Sequence, residues 1–92
     1  MPVEIIRQLG KQFSDQFDAS GQLLIELGKR IKKARQRQNL TQEALSFETE
    51  FARSYIADLE MGRRNIAFTN LCRLAKALDV PLAKLLSRFP IA

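Results

Sequence analysis

The side chains able to do chemistry in this 92-residue sequence are mostly charged ones, because the two usual reactive residue types are nearly absent. The sequence has no histidine and one cysteine, Cys72. Histidine is the commonest metal ligand and general base, and a lone cysteine forms neither an internal disulfide nor a cysteine-based zinc site. The sequence also has no glycine-rich phosphate-binding loop. We therefore predict a protein that is not an enzyme and that holds no metal or cofactor.

The charges are arranged in blocks along the sequence. Lysine and arginine number 15 against 10 aspartate and glutamate residues, which gives a net charge of +5. Residues 29–37 hold six cations and no acid, whereas residues 43–60 hold five acids and one cation, Arg53. Segregated positive charge favours a polyanion such as nucleic acid, or an anionic membrane surface. A solvated helix face is an equally common reason for such a run, so the charge alone leaves these alternatives open.

The spacing of apolar residues and the positions of proline predict an all-α protein. Prolines occur only at positions 2, 81 and 90, and no stretch alternates apolar and polar residues as a strand would. Residues 1–20 are predicted to form an N-terminal amphipathic helix, and residues 21–92 the main domain. The sequence has neither an apolar run of about 20 residues nor a secretory signal, so we expect a cytoplasmic protein without a membrane partner.

Two short helices joined by a tight corner are predicted near the middle of the chain. Thr41 is a good N-cap for a helix through Thr49. A second helix is predicted from Arg53 to Met61, ending at Gly62, because glycine readily takes the left-handed conformation that ends helices. The three-residue connector is too short for anything but a helix-turn-helix corner. The other predicted helices are a basic one that follows a Ser20 cap, one from Thr69 to Leu78, and one that begins at Pro81.

This pattern resembles the Cro and phage-repressor helix-turn-helix family, also called the xenobiotic-response-element type. The resemblance covers roughly residues 24–86. Three stretches with matching spacing carry it: Leu40-Thr41-Gln42-Glu43; residues 53–65, which read Arg-Ser-Tyr-Ile-Ala-Asp-Leu-Glu-Met-Gly-Arg-Arg-Asn; and residues 74–80, which read Leu-Ala-Lys-Ala-Leu-Asp-Val. The Arg-x-Tyr-Ile and Arg-Arg-Asn pieces are similar to controller proteins of restriction-modification systems. The resemblance implies a five-helix, lambda-repressor-like DNA-binding domain with an extra N-terminal helix.

In that family the second helix of the motif lies in the major groove of DNA, and the first crosses the backbone. The positions that this implies at base edges are Arg53, Ser54, Ala57 and Asp58. Helical geometry agrees independently. Ser54, Ala57 and Asp58 lie on the opposite side of the helix from the apolar Ile56 and Leu59.

A second group of positions matches the family's contacts with the DNA backbone. They are Thr41, Gln42, Tyr55, Arg63, Arg64 and Asn65. Structural roles are alternatives for several of them: Gln42 as a solvated first-turn residue, Tyr55 as a cover for the core, and the two arginines as a balance for the negative helix end. Arg35 and Glu60 both fall on apolar helix faces, where a charge must be paired, and they match the family's structural ion pair.

Three positions depart from the family pattern. Glu50 replaces the usual glycine or asparagine of the corner, Ala52 replaces a serine, threonine or aspartate cap, and Asp79 replaces a frequent glycine. A residue with a side chain costs about 1 kcal/mol when it is held in the left-handed conformation, and a missing cap costs about as much. We expect some local loss of stability at the corner, without loss of the motif.

The resemblance implies a sequence-specific regulator of transcription that binds double-stranded DNA, a repressor or autoregulator acting as a homodimer on an inverted repeat. One alternative is the DNA-binding antitoxin of a toxin-antitoxin pair, with the N-terminal helix binding the toxin or forming the dimer. Another is a protein-interaction module that uses the same fold without DNA. The candidate dimer surfaces are the C-terminal group Leu82, Leu85, Leu86, Phe89 and Ile91, and the N-terminal stripe Ile5, Leu9, Phe13 and Phe17.

Overall fold

A computed structural model describes residues 21–89 of the chain. Within these residues the structure has five α-helices and no strand, so the predicted all-α fold is confirmed. The predicted N-terminal helix of residues 1–20, its stripe and the Ser20 cap lie outside the described residues, as does Ile91. No helix among residues 21–89 is long and apolar enough to cross a membrane. The helices are α1, which includes residues 21–37, α2 (Gln42–Thr49), α3 (Arg53–Glu60), α4 (Phe68–Ala77) and α5 (Leu82–Leu86).

One apolar core joins all five helices. Its members recur at the three- and four-residue intervals that place side chains on one face of a helix. Each buried leucine or isoleucine contributes about 1.5–3 kcal/mol relative to an exposed one. The core residues are Leu27, Ile31, Ala34, Leu45, Ile56, Leu59, Leu71, Leu74, Ala75, Leu78 and Leu85. Because Leu85 is buried in the chain's own core, it cannot form part of a dimer surface as the sequence suggested.

The corner between α2 and α3 is held by hydroxyl groups at the end of α2. The hydroxyl of Thr49 donates to the carbonyl of Leu45 at 2.8 Å and accepts from the backbone N–H of Phe51 at 3.3 Å. Ser46 donates to the carbonyl of Phe51. Glu50 takes the left-handed conformation, with φ 62°, so a residue with a side chain occupies the position where the family pattern has glycine or asparagine. These bonds fix the angle at which α3 leaves the corner.

The end of α3 lies closely against α1. The helix ends at Glu60, one residue before the predicted Met61, and Met61 caps it. Gly62 follows with φ +70°, as expected for a glycine after a helix. A Cβ atom on Gly62 would lie 2.6 Å from the Cα atom of Ile25 in α1, so only glycine fits this crossing. The part of α1 around Ile25 therefore holds the far end of α3 in place.

The beginning of α4 differs from the sequence prediction by one residue. Thr69 was expected to open this helix, but the helix begins at Phe68. The backbone N–H of Leu71 donates to the carbonyl of Ala67 at 2.9 Å, which closes the first turn one residue earlier. No side chain caps this end, so no residue type in the sequence marks it. At the other end, Asp79 is left-handed with φ 54° in the position of the family's frequent glycine.

Candidate nucleic-acid interface

α3 has one buried and one outward side. Ile56 and Leu59 are buried in the core. On the other side Arg53 and Ser54 are exposed, while Ala57 and Asp58 are half-buried. The outward row therefore begins with a long cation and continues with small or hydrogen-bonding side chains. This composition allows the helix to approach another surface closely and to exchange hydrogen bonds with it.

Arg53 and Asp58 make no ion pair with each other. Within residues 21–89 the ion pairs are Arg30 with Glu26 and Arg35 with Glu60. Arg53 lies in the first turn of α3 and is exposed, so its guanidinium reaches outward from the beginning of the helix. Its five donors in a planar fork suit paired acceptors, such as those of a guanine edge or a phosphate.

The loop after α3 presents three exposed polar residues, Arg63, Arg64 and Asn65. The Arg64 guanidinium lies over the ring of Tyr55, 5.0 Å from its centroid. Tyr55 in turn meets Phe51 edge to face, with ring centroids 5.2 Å apart. A cation over an aromatic face gains about 0.5–1 kcal/mol at an exposed site. Tyr55 thus covers part of the core and also positions Arg64.

The beginning of α2 is fixed to the end of α3 through Glu60. The Arg35 guanidinium donates to this carboxylate from Nε at 2.6 Å and from Nη2 at 2.9 Å. Gln42 donates to the same carboxylate from Nε2 at 3.2 Å. The hydrogen bond to Glu60 raises the pKa of Arg35 above its usual value, because it stabilises the charged guanidinium. Gln42 is therefore held by the ion pair, and is not the freely solvated residue of the alternative interpretation.

The N-terminus of α2 is open to solvent beside this pair. The Thr41 hydroxyl accepts from the backbone N–H of Ala44 at 3.0 Å, as its predicted role as N-cap requires. Helix N-termini carry a partial positive charge and attract anions such as phosphate. The Arg35 guanidinium also donates to the carbonyl of Leu40 at 2.8 Å, which anchors the turn that leads into α2.

The helix-turn-helix family model matches residues 31–85, which is more than half of the sequence. The chain belongs to this helix-turn-helix family. Its two-helix motif is α2 and α3, and the match extends from the middle of α1 into α5. The family prediction made from the sequence is confirmed.

Controller proteins of restriction-modification systems are among the relatives. The control protein C.BamHI from Bacillus amyloliquefaciens is 39% identical over 54 residues, which are 58% of this chain and 67% of that protein. The crystal structure of the controller protein C.AhdI from Aeromonas hydrophila matches at 37% identity and a TM-score of 0.66, covering 67% of this chain and 94% of that one. These relatives confirm the predicted class of a helix-turn-helix regulator of transcription.

A structure of another controller includes nucleic acid. C.Esp1396I, solved as a tetramer in complex with its natural 35-base-pair operator, matches at 32% identity and a TM-score of 0.64. The match covers 68% of this chain and 83% of that chain. The relatives give no support to the alternative of an antitoxin with a toxin partner.

The structure groups the sequence-predicted site residues in two places. Arg53, Ser54, Tyr55 and Arg64 belong to α3 and the loop after it; Ser54, Tyr55 and Arg64 line one shallow depression of about 370 Å³. Gln42 lies at the start of α2, bonded to the end of α3. Sequence reasoning missed this bond and the stacking of Arg64 on Tyr55. The residue types show that a glutamine can donate a hydrogen bond and that an arginine can stack on a tyrosine. Which residues become the partners depends on how the helices pack.

Proposed function

We propose that this protein is an operator-binding autoregulator of the controller type, which binds double-stranded DNA as a homodimer on an inverted repeat. The observation that carries the proposal is the outward side of α3, where Arg53 and Ser54 are exposed beside a loop that bears Arg63 and Arg64. A helix of this kind fits the major groove, with its first turn at the base edges.

Base edges and phosphates are contacted by different side chains in this proposal. Arg53 reads a guanine through O6 and N7, and Ser54, Ala57 and Asp58 refine the neighbouring positions. Phosphates are contacted from both sides of α3, which fixes the register of the helix in the groove. The backbone group consists of Thr41, Gln42, Tyr55, Arg63, Arg64 and Asn65.

The stacking of Arg64 on Tyr55 supports the proposed contact of Arg64 with the DNA backbone. An arginine held over Tyr55 at 5.0 Å has lost part of its rotational freedom before any DNA arrives. Its remaining entropy loss on binding is correspondingly smaller. Gln42 is prepared in the same way, because its bond to Glu60 leaves a second amide hydrogen to donate.

The test is selection of bound fragments from a random pool of duplex DNA. We expect enrichment of an inverted repeat whose half-sites lie about 10 base pairs apart from centre to centre. The control is the double variant Arg53→Ala/Arg63→Ala, in which both substituted residues are exposed, so that the fold is retained. Enrichment of the full repeat by the wild-type protein, and of a weaker repeat without the guanine preference by the control, supports the proposal. No enriched sequence with the wild-type protein would overturn it.

A further inference from the structure

A basic groove lies between α1 and the C-terminal part of the described chain, apart from α2 and α3. Its volume is about 820 Å³. It is lined by six cations, three apolar residues and one acid, Glu26. The cations are Lys29, Arg30, Lys33, Arg37, Lys84 and Arg88. We call this feature the α1–α5 groove.

The acid of the groove is already neutralised by one of the cations. Arg30 pairs with Glu26 at 3.1 Å. The same guanidinium donates to the carbonyls of Leu85 at 2.8 Å and of Arg88 at 3.2 Å, and lies 4.5 Å from the ring centroid of Phe89. Arg30 therefore joins the two walls of the groove. The other five cations are exposed, and within residues 21–89 none has a carboxylate within 4.0 Å.

The cations on α1 form a straight row. Lys29, Lys33 and Arg37 are four residues apart, so they follow one side of the helix over about 12 Å. One strand of duplex DNA carries a phosphate about every 3.4 Å along its axis, so this row matches the length of three or four phosphates. Lys84 and Arg88 face the row from the other wall. A linear polyanion fits this arrangement better than a compact one.

The groove begins near the proposed DNA-binding end of the molecule. Arg37 is the last residue of α1 and precedes the cap residue Thr41 by four positions. From there the row leads back along α1, away from α2. We propose that the α1–α5 groove is a second phosphate-binding surface, which takes the sugar-phosphate backbone of duplex DNA that flanks the operator. This inference rests on the proposed function, and adds to it a contact that is independent of sequence.

The test compares the selected operator as a minimal duplex with the same operator carrying 10 added base pairs on each side. Two unrelated flank sequences are used, and Kd is measured by fluorescence anisotropy between 50 and 200 mM salt. We expect tighter binding of the longer duplexes, with the same gain for both flanks. Over this fourfold range of salt, each added phosphate contact makes affinity fall by roughly a further 3.5-fold.

The variant Lys29→Gln/Lys33→Gln removes two groove cations that are exposed and make no hydrogen bond or ion pair within residues 21–89. We expect it to bind the minimal operator as the wild type does and to lose most of the gain from the flanks. The matched control is Lys32→Gln/Lys76→Gln, which changes the net charge equally at exposed positions outside the groove. This control should keep the full gain.

Three outcomes would overturn the inference while operator binding stays intact. The first is that the wild-type protein binds the minimal and the flanked duplexes with equal affinity. The second is that Lys32→Gln/Lys76→Gln loses as much of the affinity gained from the flanks as Lys29→Gln/Lys33→Gln does. The third is that the flanks have no effect on affinity, while the protein binds poly-glutamate and Lys29→Gln/Lys33→Gln abolishes that binding. This result would indicate that the groove binds an acidic protein partner. A failure to select any operator is a different result, because it contradicts the proposed function itself.

Discussion

Glu60 is the residue on which the geometry of the helix-turn-helix most depends. It is 8% exposed and accepts hydrogen bonds from Arg35 and Gln42. Removing one partner of a buried ion pair leaves the other charge without compensation, typically at about 3–5 kcal/mol. We expect Glu60→Ala to lower the free energy of unfolding by about this amount in urea denaturation.

Two further variants make this measurement decisive. Glu60→Gln keeps the shape and part of the hydrogen bonding, so it should lose less stability than Glu60→Ala. Glu48→Ala removes an exposed carboxylate of α2 and should change stability by no more than about 0.5 kcal/mol. If Glu60→Ala unfolded with its midpoint at the same urea concentration as the wild type, the ion pair of Arg35 and Glu60 would not be structural.

At the residue scale, the sequence predicts a single ion pair more readily than a network of hydrogen bonds among several residues. Arg35 and Glu60 both fall on apolar faces, and this alone indicates that they pair. The bond from Gln42 to the same carboxylate carries no such signal, because a glutamine in a first turn is equally common in solvent. The hydrogen bonds from Arg30 to the carbonyls of Leu85 and Arg88 join residues more than 50 positions apart and depend on the tertiary fold.

The corner between α2 and α3 contains measurable backbone strain. Glu50 has φ 62° and ψ 16°, where a side chain costs about 1–2 kcal/mol and glycine is nearly unaffected. We expect Glu50→Gly to raise the free energy of unfolding by about 1 kcal/mol. Glu48→Gly, two residues earlier inside α2, should lower it by about 1 kcal/mol. Destabilisation by both substitutions would contradict the strain at Glu50.

The crossing of α1 over the end of α3 requires a residue without a side chain at position 28. A Cβ atom on Gly28 would lie 2.6 Å from the carbonyl oxygen of Glu60, and closer still to that of Leu59. We expect Gly28→Ala to destabilise the protein by about 1–3 kcal/mol, as overpacking does. Gly21→Ala is the matched control in the same helix, because nothing among residues 21–89 lies within 4 Å of a Cβ atom added there. Its stability should be unchanged or higher, and equal losses in both variants would exclude the close crossing.

At the element scale, a helix end is predictable from the sequence where a side chain caps the helix or where a glycine takes the left-handed conformation. Thr41 caps α2 with its hydroxyl, and Gly62 is left-handed after α3, as the sequence indicates. The beginning of α4 at Phe68 has no such marker, since Ala67 offers no side-chain acceptor. That boundary depends on a backbone bond, which no residue type specifies.

At the scale of the whole molecule, the described residues 21–89 have one exposed large apolar side chain at the end of α5. Leu86 is 40% exposed, although its neighbour Leu85 is buried in the core. We propose that the second copy covers this residue in the dimer, so that two chains bind each operator duplex. We expect a stoichiometry of two chains per duplex by analytical ultracentrifugation, and a weaker dimer in Leu86→Asp. Phe47→Asp is the control, because Phe47 is 87% exposed on α2. One chain per duplex, for the wild type, would contradict the dimer.

The central claim is that α3 reads base edges, and that Arg53 contributes most of this discrimination. The most direct measurement is the affinity of wild type and Arg53→Ala for a panel of single-base variants of the selected operator. We expect the wild type to discriminate by about 1–3 kcal/mol at one symmetric pair of guanine positions, and Arg53→Ala to lose discrimination at that pair alone. Uniform weakening of all operators by Arg53→Ala, with their ranking preserved, would contradict base reading by Arg53 and leave it a phosphate contact.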